Sequence, residues 1–262
     1  MITSVRNPKI QMVRSLLDRK RNRDDAQSFV VEGIRLAEEA SSAGIDIDLV
    51  LFSSNISPRG QQIIDKLTAK NFPVEEVDPR ILDRLSDTQT CQGLILICQK
   101  PVVSSDQFKE PLLLLDQVRD PGNLGTILRS ALAFGFGNVL LTYGSVDPYS
   151  PKVLRVAMGA QFSMPIGYQT PQEIHSICKS RFKPPLQIVL ADARAERACW
   201  EVDLSIPICL VVGGEAFGAS PAIEAIINTR VSIPMQASSE SLNAAMAGNI
   251  LMYEVFRQRK TR

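Results

Sequence analysis

The chain has 262 residues, room for one large domain or two ordinary ones, and its 45% hydrophobic and 22% charged content exclude disordered and collagen-like classes. No apolar run approaches the roughly 20 residues that span a bilayer. No apolar signal core opens the N-terminus either, so a cytoplasmic protein is the expectation. Formal net charge is only +1, yet it is unevenly spread: Arg6, Lys9, Arg14, Arg19, Lys20, Arg21 and Arg23 face Asp18 alone at one end, and Arg257, Arg259, Lys260 and Arg262 crowd the other. Such ends fit a polyanionic partner as well as a solvated helix face and a frayed tail.

Alternation of apolar β-rich runs with amphipathic stretches predicts an α/β architecture. In the first part the predicted strands are Phe29–Val31, Leu49–Phe52, Val74–Val77 and Leu94–Cys98, and the predicted helices are Pro8–Leu17, Ile34–Ala43, Gln61–Lys70 and Arg80–Leu85. A polar stretch bounded by Pro101 and Pro111 reads as a linker. The expected division is therefore a first domain over 1–102, a linker over 103–111 and a second domain over 112–262.

The second part offers Leu112–Leu115, Val139–Thr142, Gln187–Leu190, Ile208–Val212 and Val231–Ile233 as short, nearly all-apolar strands of a parallel sheet buried on both faces. Helices are predicted near Gly125–Phe134, Lys152–Ala157, Gln172–Arg181 and Ala222–Ile227. A last helix, about Ser241 to Arg257, places Leu242, Met246, Asn249, Ile250, Tyr253 and Phe256 on one face, to pack on the sheet or on a second subunit. Five cysteines, odd in number and without a Cys-x-x-Cys pair, read as reduced residues. The lone His175 leaves no metal-ligand cluster.

Three segments rich in glycine, asparagine and serine follow predicted strands, where ligands bind in parallel α/β sheets. They are Asp120-Pro121-Gly122-Asn123-Leu124-Gly125 with Arg129, then Gly213-Gly214-Glu215-Ala216-Phe217-Gly218, then Ile233-Pro234-Met235 leading to Ser241-Leu242-Asn243. If the sheet brings those strands together, the loops form one pocket. Gly213 and Gly214 would expose backbone amides, and Ile233 and Leu242 would form an apolar wall. Each residue also has a plainer reading: Asn123 as a helix cap, Arg129 as a surface arginine, Glu215 as a turn carboxylate, Ser241 and Asn243 as caps. Nucleotide fingerprints do not fit, since the second segment lacks Gly-x-Gly-x-x-Gly spacing and no phosphate-binding Gly-Lys-Ser/Thr loop occurs.

In their order and placement the three segments resemble the signature motifs of the SpoU (TrmH) family of RNA ribose 2′-O-methyltransferases, within the knotted SPOUT superfamily. The resemblance covers Leu112 to Phe256. Ser28–Gly33 and Thr88–Gly93 are similar to the small ribosomal-protein-like α/β domain that docks many members on structured RNA. The resemblance implies a parallel-sheet SPOUT domain with a deep trefoil knot, S-adenosyl-L-methionine as cofactor, a homodimer, and an RNA substrate, ribosomal RNA ahead of transfer RNA. It implies cofactor contacts from Gly213, Gly214, Ile233, Met235, Ser241, Leu242 and Asn243, and catalytic roles for Arg129, Asn123 and Glu215. Ala216 departs from the further glycine of many members, and Asp120 from their asparagine. The competing readings are a non-catalytic RNA-binding assembly factor and a small-molecule enzyme with an unrelated pocket.

Overall fold

Runs of Val, Ile, Leu and Phe set the strands, and Pro at the first helical turn opens most helices after a Ser, Thr, Asp or Asn cap. The computed structural model describes residues 1–86, 91–215, 218–236 and 241–261. Thr88, Gln89 and Thr90 of the docking-domain resemblance lie outside the described residues, as do Ala216 and Phe217 of the second motif. The first elements are α1 (Pro8–Asp18), α2 (Lys20–Ala26), β1 (Ser28–Glu32), α3 (Ile34–Ser42), β2 (Ile47–Ser53), α4 (Pro58–Ala69), β3 (Val74–Val77), α5 (Pro79–Leu85) and β4 (Leu94–Gln99). Next come β5 (Leu112–Asp116), α6 (Pro121–Ala133), β6 (Val139–Leu141), α7 (Pro151–Ala157), β7 (Ile166–Tyr168) and α8 (Pro171–Ser176). The chain ends with β8 (Gln187–Ala191), β9 (Ile208–Gly213), α9 (Pro221–Glu224), β10 (Thr229–Val231) and α10 (Ala244–Lys260).

Two compact units result: residues 1–102 with 149–162, and residues 103–148 with 163–262. The segment 149–162, which carries α7, thus packs with the first unit although it lies inside the 112–262 stretch. The first unit holds a four-stranded sheet in the order β1-β4-β2-β3, antiparallel except for the parallel pair β2–β3. β1, β2 and β4 are largely buried on both faces, and the edge strand β3 is half-buried. Phe29, Val31, Leu94 and Leu96 meet α3 and α4 through Leu36, Ala40, Ile63 and Leu67, and Leu154 of α7 joins that layer. Val30, Leu51, Ile95 and Ile97 meet α1 and α5 through Ile10, Val13, Leu82 and Leu85. Of the basic N-terminal residues, Arg23 is buried, and its Nη1 donates to the Leu16 carbonyl at 2.7 Å, tying α2 to α1. Arg6, Arg14, Arg19 and Arg21 stay exposed.

The second unit is a six-stranded, wholly parallel sheet in the order β10-β8-β9-β5-β6-β7. Leu112, Leu114, Ile188, Leu190 and Val211 face α8 through Ile174. On the other side α10 lies against α6 and β9, and a Cβ on Gly248 would sit 3.3 Å from Val212 Cγ2. From β5 the chain progresses outward to β6 and β7, whereas from β9 it turns back past β8 to β10. The adjacent pair β5 and β9 is therefore a topological switch point, where connections leave in opposite directions and open a crevice. Asp116 and Gly213 are register partners at its lip.

Several expectations shift. The helix placed from Gly125 begins at Pro121, with Asp120 as its cap: Asp120 Oδ1 accepts from the Asn123 backbone N–H at 2.8 Å. The capping role weighed for Asn123 thus belongs to Asp120, and Arg129 lies two turns into the helix rather than one. The last strand spans Thr229–Val231, so Ile233 is in the loop beyond it. The last helix starts at Ala244, and the stripe assigned to it divides. Ala245, Gly248, Leu251, Met252 and Val255 are its buried face, while Met246, Ile250 and Tyr253 are exposed and Leu242 precedes the helix. His175 is exposed on α8, and all five cysteines are free thiols. Among the described residues there is no metal-ligand cluster, and no helix is long and apolar enough to cross a membrane.

Candidate active site

The loops after β8, β9 and β10, closed by the start of α10, enclose a cavity of about 650 Å³ in the second unit. That volume suits a cofactor-sized ligand. Gly213, Gly214, Glu215, Ile233, Met235, Ser241, Leu242 and Asn243 all line it. Val212, Val231 and Leu251 supply apolar wall beside Ile233 and Leu242.

Gly213 and Gly214 of the second motif are required by close approach of backbone. A Cβ on Gly213 would lie 2.3 Å from the Gly218 carbonyl carbon, and one on Gly214 would lie 2.7 Å from the Gln117 carbonyl oxygen. Neither neighbour is a side chain that could swing aside. Gly214 and Gly218 exchange backbone hydrogen bonds at 3.0 and 3.1 Å, closing a tight loop, and Gly218 takes φ +70°.

Beneath the loops Asp116, fully buried at the end of β5, joins the end of β6 to the cap of α9. Its Oδ1 accepts from Thr142 Oγ1 at 2.6 Å, and its Oδ2 accepts from the Ser220 backbone N–H at 2.5 Å. Thr142 Oγ1 in turn accepts from the Gln117 backbone N–H at 3.0 Å. The first and second motif loops are thereby held together at the switch point.

Above this clamp, side chains from all three motifs form one chain of hydrogen bonds. Asn123 Nδ2 donates to Glu215 Oε1 at 2.8 Å, and Asn243 Nδ2 donates to Asn123 Oδ1 at 2.9 Å. Asn243 Oδ1 meanwhile caps α10, accepting from the Ala245 N–H at 2.9 Å. Glu215 also accepts from the backbone N–H groups of Arg119 and Asp120, at 3.5 and 3.4 Å. Burial pushes the Glu215 carboxyl up, but the hydrogen bonds from Asn123, its own backbone, Arg119 and Asp120 outweigh it and hold the group below its ordinary value. Glu215 is thus an anion that orders two loops.

Arg129 stands apart. It is exposed on α6, roughly 9 Å along the helix axis from Asn123, does not line the cavity, and its guanidinium makes no hydrogen bond or ion pair with the other described residues.

The far wall carries groups that no glycine-rich motif marked. Asp192, just beyond β8, lines the cavity with Arg194 and Glu224. Its Oδ1 accepts from the Arg194 N–H at 2.9 Å and its Oδ2 from Arg230 Nη1 at 3.0 Å. The Arg194 backbone bond first, then the Arg230 guanidinium, lower its carboxyl against the opposing effect of burial. Arg230 also pairs with Glu224. The rule that strand ends carry the ligand would have singled out Asp192 from the predicted strand ending at Leu190.

The sequence profile of the SpoU rRNA methylase family matches residues 110–253, more than half of the chain. The chain belongs to that family. The profile of an MRM3-like substrate-binding domain matches residues 7–96 of this SpoU methylase. An uncharacterized tRNA/rRNA methyltransferase of Synechocystis sp. is 31% identical over 98% of the chain and 93% of its own length. A 23S rRNA (uridine(2479)-2′-O)-methyltransferase of Streptomyces viridochromogenes is 29% identical, over 98% of this chain and 92% of its own. The crystal structure of the SpoU methyltransferase AviRb from Streptomyces viridochromogenes, in complex with AdoMet, superimposes with a TM-score of 0.89 at 27% identity, covering 98% and 99% of the two chains.

Proposed function

We propose that this SpoU methylase transfers the methyl group of S-adenosyl-L-methionine to a ribose 2′-hydroxyl of ribosomal RNA. The observation that carries the reading is that the second and third motifs line one cavity and the first is joined to them, Asn123 being hydrogen-bonded to both Glu215 and Asn243. The cavity fits the cofactor: glycine-exposed backbone stands on one side, an apolar wall of Val212, Ile233 and Leu242 flanks it, and the carboxylates of Glu215, Asp192 and Glu224 suit a cationic sulfonium. Bound there, S-adenosylmethionine supplies an electrophilic methyl. Gly213, Gly214, Ile233, Met235, Ser241 and Leu242 shape its seat, while Asn243 and Asn123 fix the Glu215 loop.

Arg129 is assigned to the acceptor. Its guanidinium stays protonated, so it cannot serve as a base. It holds the target nucleotide and stabilises negative charge developing on the 2′-oxygen, with water or a neighbouring phosphate taking the proton. Its exposure and lack of a partner among the described residues support that role. The acceptor hydroxyl exists in RNA and not in DNA.

The working unit is a homodimer in this reading, formed through the outward face of α10. Met246, Ile250 and Tyr253 are exposed there, and Leu132 of α6 is exposed as well. Arg129 lies one turn from Leu132, so this packing sets it at the boundary between two copies. The return of the chain from edge strand β10 to α10, which packs on β9 and α6, supports a trefoil knot. Residues 1–102 serve as the RNA-docking domain, 103–111 as a linker and 112–262 as the methyltransferase domain, in a cytoplasmic protein. Calorimetry with S-adenosylmethionine, followed by transfer of its tritiated methyl to ribosomal RNA, tests the proposal. Binding without transfer would leave an RNA-binding assembly factor, and neither would remove the methylase reading.

A further inference from the structure

On the side of β5 away from β9 lies β6, which ends at Leu141, and a turn follows it. Tyr143 sits there, at the tip of a turn closed by the Ser145 N–H donating to the Thr142 carbonyl at 3.2 Å. Tyr143 is 65% exposed, a large apolar ring projecting from a polar turn. One of its faces is covered by Tyr168, with ring centroids 5.7 Å apart and planes at 26°. Tyr168 is held in turn, since its hydroxyl donates to the Val146 carbonyl at 3.1 Å. The result is an exposed aromatic ring stacked against a second ring that is itself anchored.

Contacts through Gln117 and Arg119 link this turn to Glu215. Gly144, at φ +99°, approaches Gln117, and a Cβ there would lie 3.6 Å from Gln117 Cγ. Gln117 Oε1 accepts from Arg119 Nη2 at 3.2 Å, which aims an exposed cation along this edge. The Arg119 backbone N–H points to Glu215. With neighbouring strands about 4.8 Å apart, the ends of β9 and β6 are separated by roughly 10 Å, within reach of one nucleotide.

We infer that Tyr143 and Arg119 form the seat of the acceptor nucleotide, the exposed ring of Tyr143 stacking on an unpaired base and Arg119 holding the adjoining phosphate. This rests on the ribosomal RNA reading above. Splayed bases stack on aromatic side chains in single-stranded RNA recognition, and an exposed ring preorganised by a second aromatic loses little freedom on binding. Placing the base there turns its ribose toward the cavity rim at Glu215 and Asn123.

The test uses the full-length protein, ribosomal RNA from cells lacking it, and variants Y143F, Y143L, Y143A and R119A. Filter binding of RNA and single-turnover methyl transfer are measured together with calorimetry of S-adenosylmethionine. Y143A and Y143L should each raise the RNA concentration for half-saturation about ten- to a hundredfold, and Y143F should stay within about twofold of wild type. R119A should weaken binding and lower the salt slope by about one. Cofactor affinity should be the same in all four. Y143A that binds RNA as wild type does, or Y143L that restores binding, would overturn the inference. So would a change in oligomeric state with RNA binding intact, which would assign the ring to a protein interface. Wild-type protein that transfers no methyl would defeat the functional reading instead, and filter binding would still decide the role of Tyr143.

Discussion

Asn243 Nδ2 donates to Asn123 Oδ1 at 2.9 Å across 120 residues of chain. The bond joins the cap of the last helix to the first turn of α6, and Asn123 passes the constraint to Glu215 at 2.8 Å. Removing either asparagine breaks the same series. Asn123→Ala and Asn243→Ala should each weaken S-adenosylmethionine binding about tenfold, and the double variant should fall well short of the product, because contacting residues in one network couple. Asn243→Ala also deletes the α10 cap and should lower stability by about 1 kcal/mol, read from denaturant unfolding.

Gly213→Ala and Gly214→Ala meet backbone, not side chains. The added methyl must push away the Gly218 peptide within the loop after β9, or the Gln117 peptide at the end of β5. Both variants should fold with reduced stability, by about 1–3 kcal/mol for an overpacked site, and should lose cofactor binding in calorimetry. Gly137→Ala is the control for glycine loss away from the site, since nothing lies within 4 Å of a Cβ there and its φ is not positive.

The lowered carboxyl of Glu215 sets a direction for acid sensitivity. Its folded value lies below that of an unfolded glutamate, so the loop order it provides is present above about pH 4.3 and is lost as pH falls through the lowered value. Cofactor affinity followed by calorimetry should therefore hold from neutrality to about pH 5 and fall below pH 4. Glu215→Gln should have weak affinity throughout and a flat response to acid.

Much of this arrangement was legible in the sequence. Leu112–Leu115 and Ile208–Val212 read as strands buried on both faces, and they are the inner pair β5 and β9. The rule that ligands bind past strand ends then placed Gly213, Ile233 and Leu242 at one cavity, which the structure encloses. What was not legible depended on long-range packing. Gly122 and Gly125 weaken local helix propensity and mask the start of α6, although Asp120 and Pro121 carry a cap and a first-turn signal. The three-residue strand Ile166–Tyr168 has too short a pattern to stand out and is fixed by pairing with β6. Asp192 went unmarked because no glycine surrounds it, and the stacking of Tyr143 on Tyr168 joins residues with no shared motif.

Arg129 makes the sharpest demand on mechanism. If it stabilises charge on the attacking oxygen, Arg129→Lys should slow single-turnover transfer about a hundredfold or more while leaving cofactor affinity unchanged. Full transfer by the lysine variant would remove Arg129 from the chemistry.

The central claim is that these converging loops methylate a ribose in ribosomal RNA. Mapping 2′-O-methylation across all structured RNAs, in cells with the protein, without it, and with only Arg129→Ala, tests this most directly. The account predicts that one ribose methylation in ribosomal RNA disappears in the second and third cases and nothing else changes. Ribosomal RNA methylated alike in all three, or a lost methyl on a base, would contradict it.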